Sequence, residues 1–288
     1  MKAIAKRNFI LYFKNPTNIL FSLMGSLIVF FLYILFIRNN MIQQFNHIPN
    51  GPVIMDMWLT GALLTVTAMT TAFSTLGQLI RDKTTNKFMD FKITGTKAFD
   101  LILGYFFSAF GVAFVMQILV AIISLSYFSM KETLFLTSHW LVKTVVLMLL
   151  SSFAATAMSL LLCSFIKSEA TLRTFSSILG ALSGFITSAY VPIGSLSGPA
   201  HTVIKLFPLS YATSSFRKVF MEGGLASLPS AEKNYLKNYL GYGYNWNGLI
   251  SSWKLDLAVL VVFSIVCLIV VFLFSKRLIE STLSGRNQ

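Results

Sequence analysis

Residues 57–80 read MWLTGALLTVTAMTTAFSTLGQLI, a run of twenty-four positions without one charged side chain. A membrane-spanning helix rises about 1.5 Å per residue and needs about 20 apolar residues, so this run is long enough to cross a bilayer. Five other runs have the same character. The six predicted transmembrane helices cover residues 17–37, 57–80, 101–128, 144–166, 174–191 and 257–275. The expected fold class is therefore an all-α integral membrane protein with six transmembrane helices.

The composition of the whole chain supports a membrane location. Of its 288 residues, 55% are hydrophobic and only 11% are charged, whereas a soluble domain carries about 25% charged residues. The formal net charge of +13 could indicate nucleic acid as a partner, but most basic residues fall in the N-terminal segment and in alternate loops. Basic residues are retained on the cytoplasmic side of membranes. We therefore expect cytoplasmic N- and C-termini, contact of some basic residues with membrane lipid, and no nucleic-acid partner.

The chain is expected to form a single transmembrane domain over residues 1–288, with three segments outside the straight spans. Residues 1–16 predict an amphipathic helix at the membrane interface, which Pro16 ends. Residues 81–97 predict a cytoplasmic loop. Residues 192–254 are partly apolar but are interrupted by proline and glycine, so they predict an extracellular segment with short re-entrant helices.

Several kinds of catalytic motif are missing from the sequence. No glycine-rich loop ends in Gly-Lys-Ser or Gly-Lys-Thr, so the chain has no P-loop for ATP. The three histidines form no HExxH pair, and no GxSxG nucleophile motif occurs. Ionisable residues lie only at the ends of the predicted spans, which disfavours proton or sodium coupling. We therefore expect a protein that is not itself an enzyme, binds no metal, and takes its energy from a partner.

Polar side chains follow one face of the second predicted span, at spacings that a helical step of about 100° brings together. They are Thr60, Thr67, Thr71, Ser74 and Gln78. Such a stripe can line a translocation pathway, or it can support helix packing through hydroxyl hydrogen bonds. The sequence leaves both interpretations open and slightly favours packing.

Small residues form a second stripe, in the fifth predicted span. It consists of Ser176, Gly180, Ser183, Gly184 and Thr187, and it includes a GxxxG match. Small side chains let two helices approach closely. The contact can lie within one subunit or between two subunits, and the sequence favours neither.

The loop at residues 81–97, RDKTTNKFMDFKITGTK, mixes five basic and two acidic residues with apolar ones. A loop that met only solvent would not need the apolar residues. An interfacial helix that also docks a cytoplasmic protein explains both kinds of residue.

Several motifs, in their order along the chain, resemble those of the membrane subunit of an ABC-2 type ATP-binding cassette exporter. The N-terminal KRNFILYFKNP at residues 6–16 is similar to the interfacial helix that opens such permeases. Where the family commonly shows Arg-Glu, Gly-Thr and Thr-Pro after the second span, this chain has Arg81-Asp82, Asn86-Lys87 and Thr94-Gly95, which keep the acidic position and replace the glycine and the proline. The best match is LFPLSY at residues 206–211, followed by Arg217 and Gly223-Gly224, which resembles the family's outer hairpin.

The resemblance covers nearly the whole chain and implies a division of labour. Such a permease forms a homodimer or a heterodimer and binds two copies of a cytoplasmic ABC ATPase subunit, which holds ATP and Mg²⁺, while the permease binds no cofactor. Cargo moves outward. We expect the loop at residues 81–97 and the N-terminal helix to couple the permease to the ATPase, through Arg7, Arg81, Asp82, Lys83 and Lys87. The residues that the resemblance implies for the outer hairpin are Pro208, Tyr211 and Arg217.

The sequence thus predicts the permease subunit of an ATP-driven exporter in a cell membrane. An uncharged membrane interior favours hydrophobic or amphipathic cargo, such as a drug, a peptide or a lipid-like toxin. Export of a polysaccharide or glycolipid is an alternative, and so is a non-transporting membrane enzyme or assembly factor. The abundance of Lys, Asn, Ile and Phe is typical of a bacterium of low GC content.

Overall fold

The computed structural model describes residues 1–85, 87–93, 95–135, 138–246 and 249–284. Most of these residues are helical. Asn86 and Thr94, which belong to the motifs after the second predicted span, lie outside the described residues.

The described part of the chain forms long apolar helices and shorter helices between them. In order they are α1 (Lys2–Phe13), α2 (Pro16–Leu32), α3 (Arg38–Gln44), α4 (Gly51–Thr84), α5 (Lys87–Ile93), α6 (Ala98–Ser129), α7 (Ser138–Phe165), α8 (Glu169–Ile186), α9 (Gly198–Leu206), α10 (Ser210–Phe220), α11 (Glu222–Ala226), α12 (Ser230–Tyr239) and α13 (Trp253–Ser284). A π-helical turn, Tyr33–Ile37, joins α2 to α3. Two short antiparallel strands, β1 (Asn245–Trp246) and β2 (Leu249–Ile250), lie between α12 and α13.

Five helical segments of the described part are long and apolar enough to cross a membrane. They are Pro16–Gln44, Gly51–Thr84, Ala98–Ser129, His139–Phe165 and Trp253–Leu273. The predicted fold class of a helical membrane protein is therefore confirmed in outline, with the small β-hairpin as an addition. The helices are longer than the predicted spans because polar residues at their ends continue the helical hydrogen bonding.

The fifth predicted span, residues 174–191, differs most from the helix observed there. Helix α8 has 18 residues, begins at Glu169 and ends at Ile186. Its first two turns contain Glu169 and Arg173, and this polar start keeps α8 out of the set of five apolar segments. The count of six transmembrane helices stays a prediction.

Helix α4 lies at the centre of the bundle, and the whole of its most apolar window is buried by the protein itself. It packs against α2, α6, α7, α8 and α10. Glycines let two of these neighbours approach closely. A Cβ at Gly61 would lie 3.2 Å from the backbone nitrogen of Arg217 on α10, and one at Gly77 would lie 3.0 Å from Leu172 on α8. A helix whose side chains are apolar, small or hydroxyl-bearing on all sides suits such a central position.

Helix α1 lies against the first half of α6. Its buried residues are Ile4, Asn8 and Tyr12, spaced by about one turn each. The approach is closest at Gly104 on α6, where an added Cβ would lie 2.8 Å from the Cβ of Ile4. The helix predicted within residues 1–16 is therefore observed, with one face against protein. Its position at a membrane interface stays a prediction.

The predicted outer segment, residues 192–254, folds into the short helices α9 to α12 and the β-hairpin. Every residue of α10 is buried, and this helix packs against α4, α7 and α13. The predicted short helices are therefore observed. Their re-entry into a membrane stays a prediction.

Two glycines of α6 face α1 and provide a matched test of this packing. We expect Gly104→Ala to lower the free energy of unfolding by about 1–3 kcal/mol, because the new methyl group would overlap the branched Cβ of Ile4. In Gly111→Ala the new methyl group would lie 3.4 Å from the Phe9 ring, an ordinary contact, and we expect little loss. The measurements are thermal unfolding and the protease sensitivity of α1. Equal stability of the two variants would contradict the close packing of α1.

Candidate functional site

A groove of about 1210 Å³ runs between α2 and α8, with α4 as its floor. Gly25 on α2 lies where the three helices come together. A Cβ at this position would lie 3.1 Å from Thr70 on the floor and 3.6 Å from the carbonyl oxygen of Gly180 on α8. The absence of a side chain at Gly25 therefore lets α2 approach α4 and α8 closely.

The side chains along the groove change in character from one end to the other. At the end near α1, here named the α1 side, the lining includes Asn18, Arg81 and Arg173. The middle is rich in hydroxyl groups, from Ser22, Thr70, Ser74, Ser176 and Ser177. The opposite end is apolar and includes Leu32, Phe36 and Phe185. Within the described residues, no acidic side chain lines the groove.

The polar stripe of α4 is divided between the interior and the groove. Thr60, Thr67 and Thr71 are fully buried, and their hydroxyls donate to carbonyl oxygens four residues earlier, at 2.8, 2.7 and 2.5 Å. Ser74 lines the groove. The amide of Gln78 donates to a carboxylate at the end of α4, at 2.7 Å. The burial of the three threonines favours the packing interpretation for them, whereas Ser74 has a position suited to a pathway.

The small residues of α8 are divided in the same way. Ser176 and Gly180 line the groove, and a Cβ at Gly180 would have no heavy atom of the described residues within 4 Å outside its own helix backbone. Ser183 and Thr187 are buried, and a Cβ at Gly184 would lie 2.3 Å from a tyrosine ring of the same chain. The second half of the stripe thus packs within the subunit, whereas Gly180 leaves the groove open.

Asp82, near the end of α4, is the centre of a buried polar cluster on the α1 side. Arg7 of α1 donates two hydrogen bonds to its carboxylate, at 2.6 and 3.0 Å. Tyr105 of α6 donates a third at 2.5 Å, and Gln78 donates a fourth at 2.7 Å. The hydrogen bonds to Asp82, with its charge, raise the pKa of the Arg7 guanidinium above its usual value. One carboxylate therefore ties together α1, α4 and α6.

Helix α5 is attached to the same cluster. The Arg7 guanidinium lies over the Phe91 ring, 5.5 Å from its centroid, and the Phe88 ring packs edge-on against Tyr105 with centroids 6.2 Å apart. The Nζ atom of Lys87 lies 3.9 Å from Asp82. A displacement of α5 is thereby linked to the end of α4.

These contacts refine the set of residues predicted to meet an ATPase. Asp82 has no exposed surface, so in the described structure it joins helices rather than facing solvent, and its part in coupling stays a prediction. Arg81 is partly buried at the groove, where its Nε donates to Gln78 at 3.1 Å. Lys83 is also partly buried, whereas the side chain of Lys87 is 51% exposed. Of the coupling residues on the loop, Lys87 is the most accessible to a partner protein.

Arg217, which the resemblance implies for the outer hairpin, is fully buried on α10. Its guanidinium donates to the Oγ of Ser188 at 2.8 Å and to the carbonyl oxygens of Thr187 and Ser188 at 3.0 and 3.1 Å. It also lies over the Trp58 ring, 4.9 Å from the centroid. The carbonyl groups belong to the C-terminal end of α8, where the helix dipole is negative. Peptide dipoles and an aromatic face thus stabilise this buried cation.

The other two hairpin residues lie around the start of α10. Pro208 precedes the helix, and its carbonyl oxygen accepts a hydrogen bond from the backbone N–H of Tyr211 at 3.2 Å. The Tyr211 ring packs edge-on against Tyr244, with centroids 5.0 Å apart. The Tyr244 hydroxyl donates to the carbonyl oxygen of Ser210 at 3.0 Å. These contacts fix the angle at which the chain enters α10.

Two further buried ion pairs are not among the features predicted from the sequence. Arg38 donates hydrogen bonds to both carboxylate oxygens of Asp56, and the hydroxyl of Tyr33 donates to the same group. Lys218 of α10 lies 2.5 Å from Asp256, at the start of α13. The sequence contains an indication of the first pair, because the basic Arg38 directly follows one predicted span and the acidic Asp56 directly precedes the next. The second joins segments that are distant in the chain, and no local pattern predicts it.

Comparison with known protein families finds a match over most of the chain. The family model described as ABC-2 family transporter protein matches residues 39–273, which is well over half of the chain. A search of curated proteins finds no match to the chain.

A double-mutant cycle tests the buried pair on the α1 side. We expect Arg7→Gln and Asp82→Asn each to lower the free energy of unfolding, because each leaves the partner charge partly buried and unpaired. The two effects should fall short of additive by about 1.5–3 kcal/mol in the double variant, as for hydrogen bonds to charged groups. Unfolding in mixed micelles gives the free energy of unfolding of the natural protein, the two single variants and the double variant. Additive effects would show that the pair contributes nothing of its own.

The carbonyl site for Arg217 predicts an order of stability. We expect Arg217→Met to be the least stable, because it leaves the carbonyl groups of Thr187 and Ser188 without donors, at about 1–3 kcal/mol for each. Arg217→Lys should be intermediate, since an ammonium keeps the charge but lacks the planar fork of donors. Thermal unfolding of the three proteins gives the order. A methionine variant as stable as the natural protein would contradict the assignment.

Proposed function

Since the chain belongs to the ABC-2 family of transporters, we propose that it moves a hydrophobic or amphipathic cargo outward across a bacterial cell membrane. A chain of this family is the membrane subunit of an ABC transporter, whose ATPase site lies on a separate subunit. The observation that carries the proposal is the groove between α2 and α8, about 1210 Å³ in volume and continuous from a polar end to an apolar end. A cargo that has a polar part and an apolar part can move along this groove.

A second permease subunit completes the path in this proposal. The groove is open on the side that faces away from α4, and Phe21, Phe36 and Phe185 on its rims are more than half exposed. Two such grooves placed face to face would enclose one passage and cover these rings. The second subunit is either another copy of this chain or a homologue.

Two copies of an ABC ATPase subunit, each holding ATP and Mg²⁺, bind to the α1 side in this proposal, and the chain itself needs no cofactor. Helix α5 offers the docking surface, because Lys87 and Ile93 are exposed there and Ile93 is 85% exposed. An exposed apolar side chain beside a cation suits contact with a protein. Movement then passes through Phe91 and Arg7 to Asp82, and so to α4.

The proposed orientation puts the α1 side and both termini in the cytoplasm, as the distribution of basic residues favours. Helix α8 and the residues after it then form the sixth span, with Glu169 and Arg173 among the lipid head groups. Helices α9 to α12 lie on the outer side, and the buried α10 re-enters the protein-covered part of the outer leaflet, where irregular backbone is tolerated.

Association with an ATPase is the first test of the proposed function. The chain is co-expressed with a P-loop protein encoded beside it and purified from membranes. We expect the two proteins to co-purify, and we expect proteoliposomes that contain both to show ATP-dependent, vanadate-sensitive release of amphipathic dyes. A chain that purifies without an ATPase and supports no ATP-dependent transport would contradict the proposal.

Gly180 allows the groove to be narrowed without a clash in the subunit. We expect Gly180→Leu to lower the transport rate at least severalfold, because the new side chain would enter open space in the groove. Gly198→Leu is the matched control, since Gly198 also has open space around it but lies on α9, outside the groove. Transport rates and thermal unfolding are measured for both variants. Equal transport rates in these two stable variants would remove the groove as the pathway.

A further inference from the structure

We infer that the groove selects amphiphiles with an anionic head group, which sits between Arg81 and Arg173 while the tail extends along the apolar end. This inference rests on the proposed function, because it names the class of cargo for the same groove. It adds the sign of the charge on the cargo's head group and the orientation of the cargo in the groove. Neither follows from an amphipathic cargo in general.

The charge at the head-group end is the first argument. Arg81 of α4 and Arg173 of α8 both line the α1 side of the groove, and the described lining contains no acidic side chain. A Cβ at Gly77 would touch Leu172, and the hydroxyl of Thr84 lies 3.4 Å from Glu169, so the end of α4 and the start of α8 are neighbours. Two cations therefore face one polar space.

The second argument is that both guanidinium groups can accept a new anion. The Nε of Arg81 donates to the neutral amide of Gln78, and no carboxylate within the described ranges lies at ion-pair distance from Arg81. Arg173 lies 3.5 Å from Glu169 one turn earlier, but its side chain is 82% exposed, and such solvent-exposed pairs contribute little. A planar fork of N–H donors matches a phosphate or a carboxylate well.

The rest of the groove suits the remainder of such a molecule. Beyond the arginines the groove is lined by serine hydroxyls, among them Ser176 and Ser177. These two hydroxyls donate hydrogen bonds to carbonyl oxygens of α8 at 2.9 and 3.2 Å. Their lone pairs still accept hydrogen bonds from a linker. The groove then becomes apolar toward Phe36 and Phe185. Its volume exceeds the range of about 300–1000 Å³ for drug-sized pockets, so a long tail fits.

The position of the arginines also gives a route of entry. In the proposed orientation they lie at the depth of the inner head groups, where anionic amphiphiles accumulate. A cation of equal chain length would meet two like charges and, in the described lining, no carboxylate. Its binding is therefore disfavoured by the same groups that hold an anion.

The test uses two amphiphiles that share a fourteen-carbon chain and carry head groups of opposite charge, tetradecyl phosphate and tetradecyltrimethylammonium. The full chain is reconstituted in nanodiscs of neutral phosphatidylcholine without an ATPase, and the binding of radiolabelled tetradecyl phosphate is measured against empty nanodiscs. We expect saturable binding, displaced by the unlabelled phosphate at least about tenfold more effectively than by the ammonium compound.

Variants assign this preference to the groove. We expect Arg81→Gln/Arg173→Gln to weaken binding of the phosphate about tenfold or more, and Lys2→Gln/Lys6→Gln to change it less than about twofold. The control pair removes two charges from exposed positions on α1, outside the groove lining. Arg173→Glu is the second variant, because its exposed position tolerates the change even if the loss of Arg81 disturbs folding. It should reverse or abolish the preference for the anion.

Each outcome decides the inference. Equal displacement by the two amphiphiles, or unchanged binding in Arg173→Glu, would overturn it. Equal losses in the control pair and the arginine pair would show surface attraction alone and would also overturn it. Because binding is measured without an ATPase, these results are independent of co-purification, which tests the proposed function. A chain that recruits an ATPase but shows no charge preference would keep that function and lose this cargo class.

Discussion

The structure depends on a membrane helix that meets protein on every side. Helix α4 is buried along its whole apolar window, and an acid lies near each of its ends. Asp56 is held by Arg38 from the helix before it, and Asp82 is held by Arg7 from the N-terminal helix. Removing one partner of a buried pair costs about 3–5 kcal/mol, because the other charge is left without compensation. These two pairs therefore fix α1, α3 and α4 relative to one another.

The central position of α4 also explains which polar groups can meet a cargo. A hydroxyl inside a bundle must find an acceptor, and the buried threonines of α4 find one in their own helix. Their donor capacity is used, and their side chains fill space between helices. The polar groups that can act on a cargo are those that face the groove. Among them the guanidinium groups of Arg81 and Arg173 are the charged ones in the described lining, so they dominate its electrostatics.

The sequence predicts features that depend on local composition and misses those that depend on distant partners. Length and apolarity identify five spans, because crossing a membrane demands both within one run of residues. Helix α8 is harder, since its polar first turns weaken the signal without ending the helix. Asp82 looks like a solvated residue at the end of a span, and its burial follows from distant partners, Arg7 75 positions earlier and Tyr105 on α6. The polar stripe on α4 predicts a face but not its neighbours, so sequence alone could not separate packing from pathway.

Arg217 joins the outer hairpin to the helix that lines the groove. Its donors reach the last carbonyl groups of α8, while the adjacent Lys218 is paired with Asp256 of α13. Both cations lie in the segment predicted to be extracellular, and both are used for internal contacts rather than for a charged surface. A movement of α8 that widens the groove must therefore carry α10 with it or break three hydrogen bonds to a buried guanidinium. Breaking them would leave the buried guanidinium with the Trp58 carbonyl oxygen and ring as its partners, so these contacts favour a change of groove width in which α8 and α10 move together and α2 is displaced against them.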